Sequence, residues 1–128
     1  WWQDNVRGAD YGNKDSFNWI SVIRLPDFIT KKDFEWAIEK ATRKKNLDCS
    51  EAEFLTIEEG LCVQIMHIGS FDNEPESVAT MDAFLEENGY ENDINEKRLH
   101  HEIYMSDARK VVPEKWETVI RHPIKRKQ

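Results

Sequence analysis

A helical segment followed by two β-forming segments occurs twice along this sequence, and few folds accommodate that order. The residues Thr30-Lys31-Lys32-Asp33 match a capping box, and apolar residues at helical spacing follow them, which predicts a helix over 31–45. A second apolar stripe ends at Asn88-Gly89, a typical helix terminus, which predicts a helix over 75–88. Both helices are amphipathic and need a sheet to cover their apolar sides.

The remaining segments supply the strands of that sheet. Runs rich in β-branched and aromatic residues predict strands over 17–25, 52–57, 61–68, 99–105 and 118–124. The runs 52–57 and 61–68 flank a short Gly-containing connection, so we expect them to form a hairpin. The polar segments 3–16 and 90–97 are predicted loops. The fold class is therefore α+β, an antiparallel sheet with helices on one face.

Composition excludes several classes of protein. The 128 residues include five Trp, six Phe and three Tyr, so a wholly disordered chain is not expected. The net charge of −7 argues against direct nucleic-acid binding and against an anionic membrane surface as partner. No apolar run approaches the ~20 residues of a spanning helix, and Cys49 and Cys62 fit reduced thiols, so we expect a cytoplasmic protein.

The segment 99–105 carries the most unusual polar pattern. Side chains alternate along a strand, so His100, Glu102 and Tyr104 share one face. If that face lines a cavity walled by Trp, burial makes the carboxylate a strong partner for a cation. The indole rings would add cation–π attraction of about 0.5–2 kcal/mol per contact. The alternative is that these three side chains form the solvated face of an antiparallel strand.

Other chemistries find little support in the sequence. His100 and His101 point to opposite faces of a strand, and no metal-binding spacing of His or Cys is present, so we expect no metal and no cofactor. The five glycines are scattered and form no phosphate-binding loop. Cys62 lies inside a predicted strand, and Cys49 lies among acidic residues that disfavour a thiolate nucleophile.

Several motifs resemble the GyrI-like small-molecule-binding family, in the branch that stands alone without a DNA-binding domain. They are Glu58-Glu59-Gly60-Leu61-Cys62-Val63-Gln64-Ile65, His67-Ile68-Gly69-Ser70-Phe71-Asp72, His100-His101-Glu102-Ile103-Tyr104-Met105-Ser106-Asp107, Pro113-Glu114-Lys115 and Val119-Ile120-Arg121-His122-Pro123-Ile124. The resemblance implies two βαββ (SHS2-type) units related by a pseudo-twofold axis.

Mapped onto this sequence, the resemblance implies a single GyrI-like domain over 1–128. Residues 52–124 would form the complete second unit, and 1–51 the remainder of the first unit plus an extra helix. Residues 125–128 would be a basic tail. The first unit is then incomplete, and an amino-terminal segment or a second chain would complete a pocket that lies between units.

The same resemblance assigns roles to individual residues. Glu102 matches the central acid of the family pocket, and Tyr104 matches a tyrosine that donates a hydrogen bond to a ligand. The remaining candidates are pocket walls and polar contacts: Trp1, Trp2, Trp19, Phe71, His67 and His100.

Three functions follow as expectations. The first is binding of bulky, planar, hydrophobic and often cationic small molecules, which would sequester or sense drugs and toxins, as in bacterial xenobiotic resistance. The second, implied by the resemblance, is hydrolysis of cyclopropane-containing alkylating natural products by Glu102 and Tyr104. The third is an acidic protein-interaction domain with a filled core and no ligand.

Overall fold

The part of the chain that the structure describes forms six strands and two α-helices, which fall into two compact units. The computed structural model describes residues 1–4, 10 and 12–128, and it divides them into one unit of 1–20 with 59–128 and a second of 21–58. The elements in chain order are β1 (Trp2–Gln3), β2 (Phe17–Asn18), α1 (Lys31–Lys45), β3 (Cys62–Ile68), α2 (Glu74–Asn88), β4 (Tyr90–Asn92), β5 (His101–Tyr104) and β6 (Glu117–Arg126). The mixed α+β class is thus confirmed.

The larger unit is built around the long strand β6. Strand β3 pairs antiparallel with it from Cys62↔Pro123 to Ile68↔Glu117. Strands β5 and β4 pair antiparallel with successive segments of β6. The short strands β1 and β2 form a separate antiparallel ribbon.

One face of the larger sheet is buried beneath α2. Residues Thr118, Ile120, His122 and Ile124 alternate along β6 and are all buried. Met81 and Leu85 are buried on α2, and the helix reaches the same face of the sheet because Ser77 contacts His67, the register partner of Thr118. This inner face combines four apolar core residues with an unusual number of buried polar side chains. Burial of polar side chains is typical of a functional site.

The smaller unit contains α1 as the sequence predicts. Thr30 and Asp33 form the expected capping box, and the helix ends at Asn46 in the left-handed conformation with a φ of 49°. The Phe34 and Phe54 rings lie 5.6 Å apart. None of the helices in the described part of the chain is long and apolar enough to cross a membrane.

Two predicted strands are wrong. The segment 17–25 forms a strand only over Phe17–Asn18, and 52–57 forms no strand, so the predicted hairpin does not exist. Ile23 and Leu55 are 85% and 57% exposed, so these runs have β-forming residues but lack the burial that stabilises a strand. Strand β3 pairs with β6 instead of with 52–57.

Three other boundaries differ from the expectation. The predicted loop 90–97 begins with strand β4, and β6 runs beyond 118–124 because β4 pairs with its end. The predicted strand 99–105 is shorter, at His101–Tyr104. The predicted loop 3–16 begins with Gln3 in β1, and its residues 5–9 and 11 lie outside the described part of the chain.

The end of α2 depends on Gly89. This residue has a φ of 72°, and its N–H donates to the carbonyl of Leu85. We expect Gly89→Ala to lower the free energy of unfolding by about 1 kcal/mol, because an L side chain is disfavoured in that conformation even though the space around it is open. Urea unfolding measures the change. Gly89→Asn should lose less, and an unchanged stability of the Ala variant would contradict this role.

Candidate functional site

Glu102 lies on the inner face of the sheet, within β5. Its register partner is the buried Ile120, and its own side chain is half-buried. The indole N–H of Trp1 donates to Oε1, and the Tyr104 hydroxyl donates to Oε2 at 2.8 Å. Both carboxylate oxygens are therefore held by donors, which fixes the orientation of the acid.

Glu74 is a second acid beside the first. It is the first residue of α2, only 4% exposed, and its Oε1 has no hydrogen-bond partner within the described structure. Burial, then the charge of Glu102 and a hydrogen bond with Glu102, raise the pKa of Glu74 to about 8. At neutral pH this carboxyl is therefore protonated and can act as a hydrogen-bond donor or an acid.

Tyr104 joins this pair to an open cleft. Burial, the hydrogen bond to Glu102 and the charges of Glu102 and Glu74 all raise the pKa of the Tyr104 phenol. The ring as a whole is 61% exposed, so the hydroxyl faces the acid pair while the ring faces outward. The phenol therefore stays protonated, and its one proton is donated to Glu102, so it can stabilise a developing negative charge only by turning from Glu102 to that charge.

An aromatic cleft of about 370 Å³ lies on the outer side of Tyr104. Its walls include Phe71, Trp116 and Thr118, with the segment 106–109 at the rim. The Phe71 ring lies 4.7 Å from Trp116 and 5.6 Å from Tyr104, measured between centroids. The volume falls in the range of small-ligand pockets, and three clustered rings suit a planar apolar ligand.

A histidine pair flanks the other side of the acid pair. The His100 ring contacts Trp1 at 4.3 Å and His122 at 5.6 Å between centroids. Burial, with smaller contributions from neighbouring positive groups, lowers the pKa of His100 to about 3, and burial also lowers the pKa of His122. Both rings are therefore neutral at physiological pH.

Buried polar atoms without a hydrogen-bond partner concentrate on this face. Within the described structure they are Glu74 Oε1, His100 Nε2, Thr118 Oγ1 and His122 Nδ1, with His101 Nδ1 on the opposite face of the sheet. Leaving such atoms without a hydrogen bond is costly, so folds tolerate them mainly at functional sites. Their clustering around Glu102 supports this region as the site.

The structure brings together some of the sequence-predicted residues and leaves others apart. Trp1, Tyr104 and His100 lie with Glu102, and Phe71 lines the adjoining cleft. Trp2 and Trp19 are 37% and 71% exposed, and no hydrogen bond or ring contact among the described residues joins either to Glu102.

His67 makes other contacts. It is 4% exposed, with Nδ1 2.9 Å from Ser77 Oγ and Nε2 3.0 Å from the Ser70 carbonyl. Both ring nitrogens are thus used in joining β3 to the start of α2.

Sequence reasoning missed four residues: Glu74, Trp116, Thr118 and His122. The alternation of β6 could have placed Thr118 and His122 on one face, because they lie four residues apart on a strand. The Trp116 ring forms a cleft wall, and its Nε1 donates to the Val111 carbonyl at 2.7 Å. Glu74 gave no local signal, since an acid in the first turn of a helix is common.

No group of three metal-ligating side chains is placed to hold a metal ion among the residues that the structure describes. The side chains gathered here offer carboxyl, phenol and aromatic groups. One acid is held by two donors, a second acid keeps a proton, and three rings line a cleft beside them.

Comparison with known proteins gives a consistent result. A family model for the GyrI-like small molecule binding domain matches residues 25–125. An uncharacterized conserved protein from Listeria innocua is 42% identical, with a TM-score of 0.89, over 97% of this chain and 60% of that one. No curated protein matches this chain.

Two further crystal structures from Listeria innocua are described as hydrolases. One is 46% identical with a TM-score of 0.76, over 80% of this chain and 52% of that one. The other, a hydrolase encoded by lin2189, is also 46% identical with a TM-score of 0.73, over 80% of this chain and 50% of that one. This chain thus spans between half and three fifths of the length of these structures.

Proposed function

This chain belongs to the GyrI-like small-molecule-binding family, and from that premise we propose that it binds bulky, planar, hydrophobic and often cationic compounds. The ligand stacks in the aromatic cleft beside Tyr104, and Glu102 attracts its charge. The observation that carries the proposal is the carboxylate of Glu102, held by Trp1 and by Tyr104, whose ring lines that cleft. Few directional contacts in the cleft would give broad specificity.

Electrostatic and cation–π arguments support a cationic ligand. A half-buried carboxylate attracts a cation more strongly than an exposed one, because less water screens it. The cleft rings add about 0.5–2 kcal/mol for each cation–π contact. The interaction-domain alternative predicts a filled groove beside Trp1, Trp2 and Trp19, whereas the cleft of about 370 Å³ lies beside Tyr104 and Trp116.

The test is a fluorescence titration with a cationic aromatic dye. We expect Glu102→Gln to weaken dye binding about tenfold, since it removes the charge and keeps the shape. Glu76→Gln is the matched control, because it removes one exposed negative charge from the same region and should leave the affinity unchanged. Equal affinities of all three proteins would refute the role given to Glu102.

A second candidate function is hydrolysis, and two observations favour it. Two structures that are 46% identical to this chain are described as hydrolases. Glu102, Glu74 and Tyr104 also combine an acceptor, a protonated acid and a phenol donor within one cluster. We propose as the substrate class compounds that carry a cyclopropane conjugated to a carbonyl. Glu102 accepts a proton from the attacking water while Tyr104 donates to the carbonyl oxygen.

In the cell, either activity would remove or sense toxic compounds, and we propose a role in drug and toxin resistance in the cytoplasm. Completion of the pocket by an amino-terminal segment or a second chain stays a prediction, as do the two pseudo-symmetric units. Sensing would need a separate DNA-binding partner, because the acidic charge of this chain disfavours nucleic-acid contact.

A further inference from the structure

We propose that Glu74 and Glu102 form a proton-exchange site, at which a monovalent organic cation displaces the proton held by the carboxyl pair into solvent. This inference rests on the proposed binding function and adds to it a coupling between ligand charge and pH. A cation would then bind with release of about one proton. An uncharged ligand of the same shape would bind without any.

The geometry of the pair carries the argument. Glu74 is 4% exposed, its carboxyl lies close enough to Glu102 for the two acids to interact, and its Oε1 has no hydrogen-bond partner in the described structure. Glu102 already accepts hydrogen bonds through both oxygens, from Trp1 and Tyr104. Two carboxyl groups in contact do not both ionise readily, so one proton stays between them.

A cation beside the pair replaces the proton as the positive charge that lies next to the two carboxyl groups. Its positive charge compensates the second carboxylate as the proton did, so Glu74 ionises and the proton leaves for water. Thr118 independently indicates that a polar group of a ligand binds on this face. This residue is 1% exposed and belongs to the cleft wall, and its hydroxyl has no hydrogen-bond partner in the described structure.

Several titratable groups surround the pair, and Glu74 is the one expected to exchange its proton. They are Glu102 and Tyr104 of β5, His122 of β6, Asp82 of α2, His100 before β5 and the amino group of Trp1. Burial holds both histidines neutral and the phenol protonated near neutral pH. Burial lowers the pKa of the Trp1 amino group, and the Glu74→Gln variant separates any proton released there from the one held by Glu74.

Linkage gives the size of the effect. Because the pKa of Glu74 is about 8, the carboxyl holds its proton at neutral pH and would release it there on cation binding. The affinity for the cation is then expected to rise about tenfold for each pH unit up to that value. The affinity for a neutral ligand is expected to stay level over the same range.

The experiment uses N-methylquinolinium as the permanent cation and quinoline as its uncharged counterpart. Each is titrated calorimetrically near neutral pH in two buffers with different ionisation enthalpies, so that the difference in heat counts the protons released. We expect about one proton for the cation with the wild-type chain and none for quinoline. Glu74→Gln should bind the cation with no proton released, and its far-UV circular dichroism checks its fold.

The outcomes separate the two proposals. Cation binding without proton release, or equal release by Glu74→Gln, overturns the exchange and leaves the proposed binding function standing. Failure of both probes to bind overturns the exchange together with the binding function. Release from the wild-type chain alone, with affinity rising with pH, supports both.

Discussion

Between pH 6.5 and pH 8 the wild-type chain is expected to lose about 2 kcal/mol of unfolding free energy relative to Glu74→Gln. The folded state raises the pKa of Glu74 from 4.5 to about 8, so it holds a proton that the unfolded chain releases. The contribution of this proton to the free energy of unfolding is complete below pH 4.5 and is lost as the pH rises towards 8. A Gln at this position cannot ionise and keeps a donor for Glu102.

His100 acts in the opposite direction and over a lower range. Its pKa falls from 6.5 in the unfolded chain to about 3 in the folded state, so acid favours the unfolded chain. Between about pH 4.5 and 6.5 the contributions of His100 and Glu74 oppose each other, so wild-type stability is expected to change less with pH than that of Glu74→Gln. Without the Glu74 contribution, the stability of Glu74→Gln should rise with pH over this range.

Urea unfolding followed by tryptophan fluorescence, at constant ionic strength, measures these differences. The matched control is Glu76→Gln, which removes an exposed acid from the same turn of α2 and should follow the wild-type curve. Parallel pH profiles for the wild-type chain and Glu74→Gln would show that the carboxyl titrates normally. In that case both the protonated acid and its part in ligand binding would be withdrawn.

The sequence predicts the helices better than the strands for a physical reason. Helix α1 depends on the local Thr30–Asp33 capping box. Helix α2 ends at Gly89 because that position has a left-handed backbone conformation, which glycine adopts without strain. Strands need partners that lie far away in the chain. The run around Ile23 has β-forming residues but no sheet edge, whereas β6 gains length because β4 pairs with it to Arg126.

The site was predictable in part for the same reason. Alternation along one strand is a local property, so Glu102 and Tyr104 could be placed on a shared face, and the hydrogen bond between them agrees. The raised pKa of Glu74 arises only in the folded chain, where α2 covers the sheet and brings Glu74 close to Glu102. Its unusual protonation is a property of tertiary packing, which no spacing within α2 encodes.

The hydrolase proposal predicts the largest change in rate. Incubation with a cyclopropane-containing alkylating compound should yield a product heavier by one water. The water oxygen bonds to a ring carbon, and a ring C–C bond breaks. The electron pair of that bond moves to the conjugated carbonyl, and a proton balances the resulting charge. Glu102→Ala should lower kcat/KM by about 10²–10⁴, since it removes the acceptor for the water proton.

Tyr104→Phe distinguishes catalysis from binding at the same site. It removes the hydroxyl that would stabilise the charged oxygen but keeps the ring in the cleft wall, so kcat should fall about 10²-fold with KM little changed. Mass spectrometry of the product and a dye titration of the same variant give the two readouts. Intact compound after prolonged incubation with the wild-type chain would remove the hydrolase proposal and leave binding as the activity. Full turnover by Tyr104→Phe would instead keep hydrolysis and assign the charged oxygen to another donor, for which the protonated Glu74 is the neighbouring candidate.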